Sequence, residues 1–497
     1  MKLPNSFNNK ITKWGIYLSV ISFFVILGLL IFAGKIDEWS VAGILSFVGL
    51  VVVWIIGLIM IPLGMSKTEK RNSPDKKSSI LNLTVDSYRN AFYIFAGGFI
   101  LFLIVATAGA YKSYHYMESV KFCGTTCHVT MIPEYITHEN TAHADAKCAD
   151  CHIGEGVTGF LASKVQGTKE LIDIVTNSVP TPIYANEEIQ EIAQEACEQC
   201  HWSQKFHPDR KVHNVHFLRD EDNTEWDIDL TLHLASGNKP LGLQKGIHWH
   251  MNKDVKIEYV ATDKNKQNIP WVKYTNLKTG KVTIFENADE PLDKSAFDTL
   301  AVNQMNCIDC HSRPAHKFQP AETFINAAFV RGEIDRELPE FKSAAITAVS
   351  EEEYGTADSA RLMIPKKITA FYEENYPEIL KEKKGELDKS IAAVVSGFSK
   401  NVFPDMKVRW DTYYDNIGHM KSNGCFRCHD NNHVAKSEEV IPKDCATCHT
   451  ITAQGSPGNM VYATPGTSLI FQHPGEDVEQ ADWEEGLCSD CHAGVGP

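Results

Sequence analysis

No cysteine of this 497-residue chain stands outside one repeated pattern, and basic side chains are in the minority, 48 against 63 acidic. Fourteen cysteines in a chain this long exclude a small disulfide-stapled module. A net charge of −15 argues against nucleic acid as the main partner. No nucleotide-binding glycine loop, hydrolytic triad or metal-ligand cluster stands out beyond the cysteine motifs. A mean hydropathy of −0.22 excludes a transporter built wholly of membrane helices. It does not exclude an anchor, because an average hides where the apolar residues sit. At roughly 100–200 residues per domain, the length suggests two to four domains.

Three long runs carry no charge, over residues 14–34, 39–66 and 91–111. About 20 helical residues cross a hydrocarbon core, so the pattern predicts three transmembrane helices. A cleaved signal peptide is the rival for the first run, but that run is longer than the usual apolar core and Phe32-Ala33-Gly34 is a poor cleavage site. Lys2, Lys10 and Lys13 precede the first run, and Lys67, Lys70, Arg71, Lys76, Lys77 and Arg89 fill the loop between the second and third. By the positive-inside rule the N-terminus and this loop face the cytoplasm, which puts everything after Tyr111 on the outer side. The outer part is the acidic one. Residues 1–111 hold 10 basic and 5 acidic residues, leaving 38 basic and 58 acidic beyond them.

All 14 cysteines fall in seven copies of one motif. Six are Cys-x-x-Cys-His: Cys148/Cys151/His152, Cys197/Cys200/His201, Cys307/Cys310/His311, Cys425/Cys428/His429, Cys445/Cys448/His449 and Cys488/Cys491/His492. The first, Cys123/Cys127/His128, is longer by one residue. Two thiols at this spacing add to the two vinyl groups of haem, and the adjacent histidine reaches the iron. A zinc site would not need histidine after every second cysteine, and a thioredoxin-like pair would not recur seven times. The expected cofactor load is therefore seven haem c, or six if the stretched Cys123/Cys127 motif is not loaded. Haem c is attached outside the cytoplasmic membrane, where charge counting had already placed residues 112–497.

Seven motif histidines leave 13 of the 20 free. His143, His233, His250, His316, His419 and His433 are candidate second axial ligands, being near motifs or in short apolar or turn contexts. His216 and His473 complete the set. Met131, four residues after Cys127, is a candidate axial ligand of the first haem. Pairs of histidine ligands give low potentials suited to a donor such as menaquinol.

At FCGTTCHVTMIPEY, ENTAHADAKCADCHIGEG and SKVQGTKELID the chain resembles the NapC/NirT family of membrane-anchored quinol dehydrogenases. Its later motifs, CEQCHW, GIHWHM, CIDCHSRPAH, NVFPDMKVRW and GCFRCHDNNHV, resemble the longer heptahaem inner-membrane cytochromes of metal-respiring bacteria. The resemblance implies quinol oxidation at the outer membrane face beside the first haem, whose iron in some members is held by the nearby Met. It further implies a pocket lined by a Lys and an Asp, for which Lys164 is the best match, with Lys169 the alternative, and Asp173 the acid. The sequence departs from the short members in the extra motif residue, the later Met131 and the three apolar runs.

The expected fold is a membrane-anchored multihaem cytochrome c with three N-terminal transmembrane helices, then a mainly α or irregular haem-packed domain with a small β insertion. Its parts are an anchor over 1–111, a domain carrying haems one to three over 112–201, a β-rich insertion over 202–306, a fourth-haem and helical region over 307–424, and a three-haem segment over 425–497. DIDLTLHLASG, VKIEYVATD, IPWVKYTN and KVTIFEN alternate as strands do, while AETFINAAFVRGEIDREL and KKGELDKSIAAVVSGFSK are amphipathic helices. The expected function is quinol oxidation at the bacterial inner membrane, with a periplasmic haem domain passing electrons to periplasmic or outer-membrane multihaem cytochromes. Two rivals remain open: a terminal reductase for nitrite, hydroxylamine or a sulfur oxyanion, and a passive subunit fed by a separate quinol oxidase.

Overall fold

Away from water a chain must satisfy its own backbone, and the charge-free runs form helices: α1 (Lys10–Phe32), α2 (Val41–Asn72) and α3 (Asp86–Met117). The computed structural model describes residues 7–32, 41–72, 86–127, 129–153, 156–176, 178–184, 196–201, 208–234, 246–297, 299–350, 353–474 and 486–492. Two units separate, Met1–Ile132 and Pro133–Pro497.

In the first unit α1 and α2 pack through small residues. A Cβ added to Gly57 would come within 2.6 Å of Ser19 Oγ, so the backbones approach as closely as glycine permits. Asn9 Nδ2 donates to Gly64 O at 3.1 Å across the same pair. Trp54 of α2 joins Phe23 of α1 and Phe102 of α3, with ring centroids 5.9 and 4.3 Å away. Tyr17, Ile21, Phe24, Ile59, Leu63 and Ile104 point outward, as lipid-facing side chains do. Two helices are long and apolar enough to cross a membrane, over Lys10–Leu29 and Ala96–Met117. The expectation of three spans is thereby corrected to two among the described residues. In α2 the described apolar stretch, Gly49–Met65, ends at Lys67, Lys70 and Arg71 and falls short of the about 20 residues a span requires.

The second unit is mixed α/β. Strands β1 (Arg210–Phe217), β2 (Glu225–Leu232), β3 (Val255–Val260), β4 (Trp271–Asn276), β5 (Val282–Asn287) and β6 (Val302–Gln304) come from the segment read as an insertion. They are joined by β7 (His433–Ala435), β8 (His449–Gly455) and β9 (Val461–Tyr462) from near the C-terminus. The antiparallel sheets run β1-β2-β8-β9 and β6-β3-β4-β5-β7. The β region is therefore no separate insertion: both sheets need strands from the three-haem segment. Leu232 of β2 opposes His449, so the first sheet fixes a motif histidine directly.

The helices are α4 (Ile132–Glu139), α5 (Gly156–Val175), α6 (Ala321–Val330), α7 (Phe341–Ser350), α8 (Ala357–Asn375) and α9 (Lys384–Asn401), of which α6 and α9 fall on the two predicted amphipathic runs. Thr356 caps α8, its Oγ1 accepting from Ser359 N at 3.1 Å. Ile325, Phe329, Phe341, Ile364, Ile368, Tyr372, Leu387 and Val394 bury the apolar faces of α6–α9 around Phe217 of β1. Each such side chain contributes about 1.5–3 kcal/mol when fully buried. This core packs β1 against α6–α9.

Candidate haem-binding centres

The motifs fold as tight turns that bring both thiols to one side. At Cys148–His152, Cys307–Cys310 and Cys488–His492 the turn is a short α-helix. Asp150, Asp309 and Asp490 each accept from the backbone N–H three residues back, at Lys147 (2.9 Å), Asn306 (2.8 Å) and Leu487 (3.1 Å). Gly424–Arg427 and Cys445–Thr447 are 3-10 turns. Gly424 has φ +48°, and a Cβ there would run into Gly418 O, so only glycine fits ahead of Cys425. The stretched first motif forms a single π-helical turn, Phe122–Cys127, which absorbs its extra residue. His128 and the side chain of Cys127 lie outside the described residues. Met131 is half-buried in the 3-10 turn Val129–Met131 that follows.

The thiols are not equally enclosed. Cys123, Cys148, Cys151, Cys197, Cys307, Cys310, Cys425, Cys428, Cys448 and Cys488 are half-buried, whereas Cys200, Cys445 and Cys491 are exposed. Each exposed thiol is paired in its motif with a half-buried one: Cys197 with Cys200, Cys448 with Cys445, and Cys488 with Cys491. Cys491 is exposed because it closes the last turn of Cys488–His492, where Ser489, on the opposite side, is the buried residue. A thioether asks only that sulfur reach the edge of the porphyrin, and that edge can stand in water while the histidine side is covered.

All six described motif imidazoles face a second imidazole. Ring centroids are 6.0 Å apart for His152 and His316, 6.0 Å for His201 and His143, and 6.5 Å for His311 and His248. They are 5.9 Å apart for His429 and His250, 6.2 Å for His449 and His419, and 6.1 Å for His492 and His473. Two imidazoles bound across one metal need about 6 Å, from a metal–nitrogen bond of about 2.0 Å and about 1.1 Å to the ring centre on either side. His316, His250 and His429 each donate Nδ1–H to a backbone carbonyl, of Glu134 (2.9 Å), Ile247 (2.8 Å) and Pro442 (3.0 Å). That contact fixes the tautomer and leaves Nε2 as the free donor atom. Burial lowers the pKa of His250, His419, His429, His449, His473 and His492, and with the Arg313 charge takes His316 to about 3. Neutral imidazole is the ligating form. Nδ1 of His143, His419 and His449 is buried without a hydrogen-bond partner among the described residues. Paired thiols, paired neutral imidazoles and orphaned ring nitrogens together fit covalently held haem.

Five candidate second ligands thus face motif histidines: His143, His250, His316, His419 and His473. The other three do not. His433 is fully buried, with Nδ1 at 2.9 Å from both Asp430 carboxylate oxygens and Nε2 donating to Ile269 O at 2.7 Å. Both nitrogens are spent, so His433 is a structural residue. His233 shares Nδ1 with Asp209 at 2.9 Å. His216 sits on β1 and faces no motif imidazole among the described ring contacts. Sequence reasoning missed His248, which shares the 3-10 turn Ile247–Met251 with His250. The i, i+2 spacing in GIHWH was the available signal, since such a turn sends these side chains to different sides. His138 was also passed over: it is buried, with Nδ1 unpartnered among the described residues and its ring 6.0 Å from that of His316.

Thiols of successive motifs lie within electrostatic reach of one another. Cys151 feels Cys200, Cys197 feels Cys307, Cys310 feels Cys425, and Cys488 feels Cys445. Cys425 and Cys448 likewise act on one another. The second to seventh motifs therefore neighbour each other in chain order.

The three residues expected to meet quinol lie on α5. Lys164 and Asp173 are nine residues apart, about half a turn out of phase, so they take opposite faces of the helix. Lys169 and Asp173, four apart, share one. Lys169 is exposed beside exposed Val165 and Ile172, while Asp173 is half-buried and accepts from Ser178 N on its backbone carbonyl at 2.8 Å. The side chain of Lys164 lies outside the described residues.

The N-terminal region of the NapC/NirT cytochrome c family matches residues 86–225. Over 445 residues the chain is 31% identical to cytochrome c-type protein ImcH of Geobacter sulfurreducens, covering 88% of this chain and 85% of that protein. Over 141 residues it is 29% identical to cytochrome c nitrite reductase subunit NrfH of Nitratidesulfovibrio vulgaris, covering 28% of this chain and 76% of that one. A solved structure, the cytochrome c nitrite reductase NrfHA complex bound to the HQNO inhibitor, is 28% identical over 22% of this chain and 73% of its own, with a TM-score of 0.20.

Proposed function

The chain belongs to the NapC/NirT family of multihaem c-type cytochromes, and on that premise we propose that it oxidises quinol at the outer face of the inner membrane and passes electrons outward along seven haem-attachment motifs. One observation carries the reading: each of the six described motif histidines faces a second histidine at 5.9–6.5 Å. Such centres are closed on both sides. A terminal reductase needs an open position facing its substrate, so the geometry favours a conduit. Haem c, when bound, supplies a reversible one-electron carrier at each motif. Succession of the second to seventh motifs in space as in sequence supports a single path through the haem domain.

The quinol site is formed by α5, which follows the first two motifs in the chain. Lys169 and Asp173 share a face that also carries Val165 and Ile172, so polar groups able to hold a quinol oxygen or take its proton stand on an apolar stripe. Lys164 is the alternative cation and Met131 the axial ligand of the first haem. A carboxylate serving as proton acceptor works best with a pKa near the operating pH. The apolar N-terminal helices anchor the chain in the inner membrane, and the haem domain is periplasmic. The electron acceptors are periplasmic or outer-membrane multihaem cytochromes.

The test is steady-state oxidation of a menaquinol analogue by full-length protein carrying Lys169→Ala, Lys164→Ala or Asp173→Asn. Asp173→Asn and one of the lysine variants are expected to slow turnover at least tenfold with haem content unchanged. Wild-type turnover in all three variants removes α5 from the quinol site.

A further inference from the structure

Arg313 lies two residues past the fourth motif, yet it is built into the surroundings of the second. Its guanidinium stacks 3.9 Å over the Tyr413 ring and lies 5.2 Å from the Phe318 ring. Nε donates to His316 O at 3.0 Å, and Nη2 donates to Glu134 Oε1 at 3.4 Å. The backbone carbonyl of Glu134 takes the Nδ1–H of His316 at 2.9 Å. Arg313, Glu134 and His316 thus close a ring of contacts that fixes the imidazole facing His152. Tyr413 is itself anchored, its hydroxyl donating to Ile183 O at 2.7 Å.

The same arrangement places a charge. The Arg313 side chain is only 19% exposed, so water screens it little. Its Nε is held 3.0 Å from the backbone oxygen of His316, the residue whose ring faces His152 at 6.0 Å. Glu134 meets the guanidinium through Nη2, at 3.4 Å, while Nε is turned to His316 at 3.0 Å. Compensation of the Arg313 charge at the pair is therefore incomplete.

We propose that Arg313 is a positioning residue of the second haem centre: it orients His316 and, as a buried cation beside His152 and His316, raises the midpoint potential of the iron they would share. A fixed positive charge disfavours the ferric state, which carries one more positive charge than the ferrous. A raised potential early in the path draws electrons forward from the first centre and makes entry directional. The proposal rests on His152 and His316 being ligands of one haem.

Potentiometric titration of the full-length haem-loaded protein, followed by optical and EPR spectra, tests it. Arg313→Gln is expected to lower one midpoint, Arg313→Lys to restore most of the shift, and Glu134→Gln to raise the same midpoint, all with low-spin haems retained. Unmoved midpoints overturn it, as do shifts of the same sign in Arg313→Gln and Glu134→Gln. Should Arg313→Gln lose haem, the lysine and glutamine variants decide by the same signs. His316→Ala separates the two layers. A new high-spin haem upholds the ligation; its absence overturns the ligation and the tuning with it. A high-spin haem in His316→Ala with unmoved midpoints in the Arg313 and Glu134 variants refutes the tuning alone.

Discussion

The turn Ile247–Met251 offers the sharpest test of how the centres are closed. His248 faces His311 at 6.5 Å and His250 faces His429 at 5.9 Å. Adjacent residues of a 3-10 turn are separated by about 120° around its axis, so two positions apart the side chains serve different centres. Changing His248 to Ala therefore removes one ligand from the fourth haem and leaves the fifth intact, and His250→Ala does the reverse. Each single variant should convert one of seven haems from low to high spin, and the double variant two. Both rings are half-buried, and Trp249 between them packs on Tyr274 at 5.5 Å, so the turn should hold its shape. The expected loss of stability is modest, about 1–2 kcal/mol per truncation. Spin quantitation by EPR against total haem from a pyridine haemochrome assay reads the fraction directly. A fully low-spin His248→Ala protein would refute the assignment. Two high-spin haems in that single variant would show that the turn carries both centres as one unit.

Other positions give independent checks. His433→Ala should leave every haem low-spin but destabilise the fold by about 3–5 kcal/mol, because a buried pair with Asp430 and a bond to Ile269 O are lost together. Burial alone would lower its pKa, but the Asp430 carboxylate and the Ile269 carbonyl raise it, so this stabilisation is fully present below about pH 6.5 and fades as pH rises through the higher folded value. Denaturant titrations of wild type and variant at pH 6 and pH 9 should show the difference shrinking; a gap that widens with pH would contradict it. Gly424→Ala should cost about 1–3 kcal/mol or more and reduce loading at the fifth motif, read by mass spectrometry of haem-bearing peptides. Full loading with unchanged stability would mean the turn tolerates a side chain.

Much of the chemistry was legible because covalent attachment is local. Two thiols and a histidine must stand within five or six residues, so each motif announces itself. How far each thiol is enclosed was not legible, and Cys491 at the end of its turn is as open to water as Cys200 and Cys445. Second ligands obey no local rule, since they are supplied by the fold. His316 follows the fourth motif in sequence but faces His152 of the second. His143 precedes the second motif and faces His201 of the third, and His419 precedes the fifth but faces His449 of the sixth. Nearness to a motif therefore marked useful histidines without indicating which motif each one faces. At His433 it failed outright, because Asp430 and Ile269 take both nitrogens. The alternating strands and amphipathic helices were readable one by one. That β7, β8 and β9 would complete sheets begun some 200 residues earlier was not, because pairing partners leave no mark in local periodicity. The anchor was visible as composition, and among the described residues two of its helices have the length and hydropathy of a membrane span.

The central claim is that quinol feeds a row of closed haem centres. Rapid mixing of the purified full-length protein with a menaquinol analogue, with haem counted in the same sample, tests it most directly. The account predicts seven haems per chain, reduced by the quinol without any added protein. Haem that stays oxidised with quinol yet accepts electrons once a partner protein is added would contradict it, and would make the chain a passive carrier.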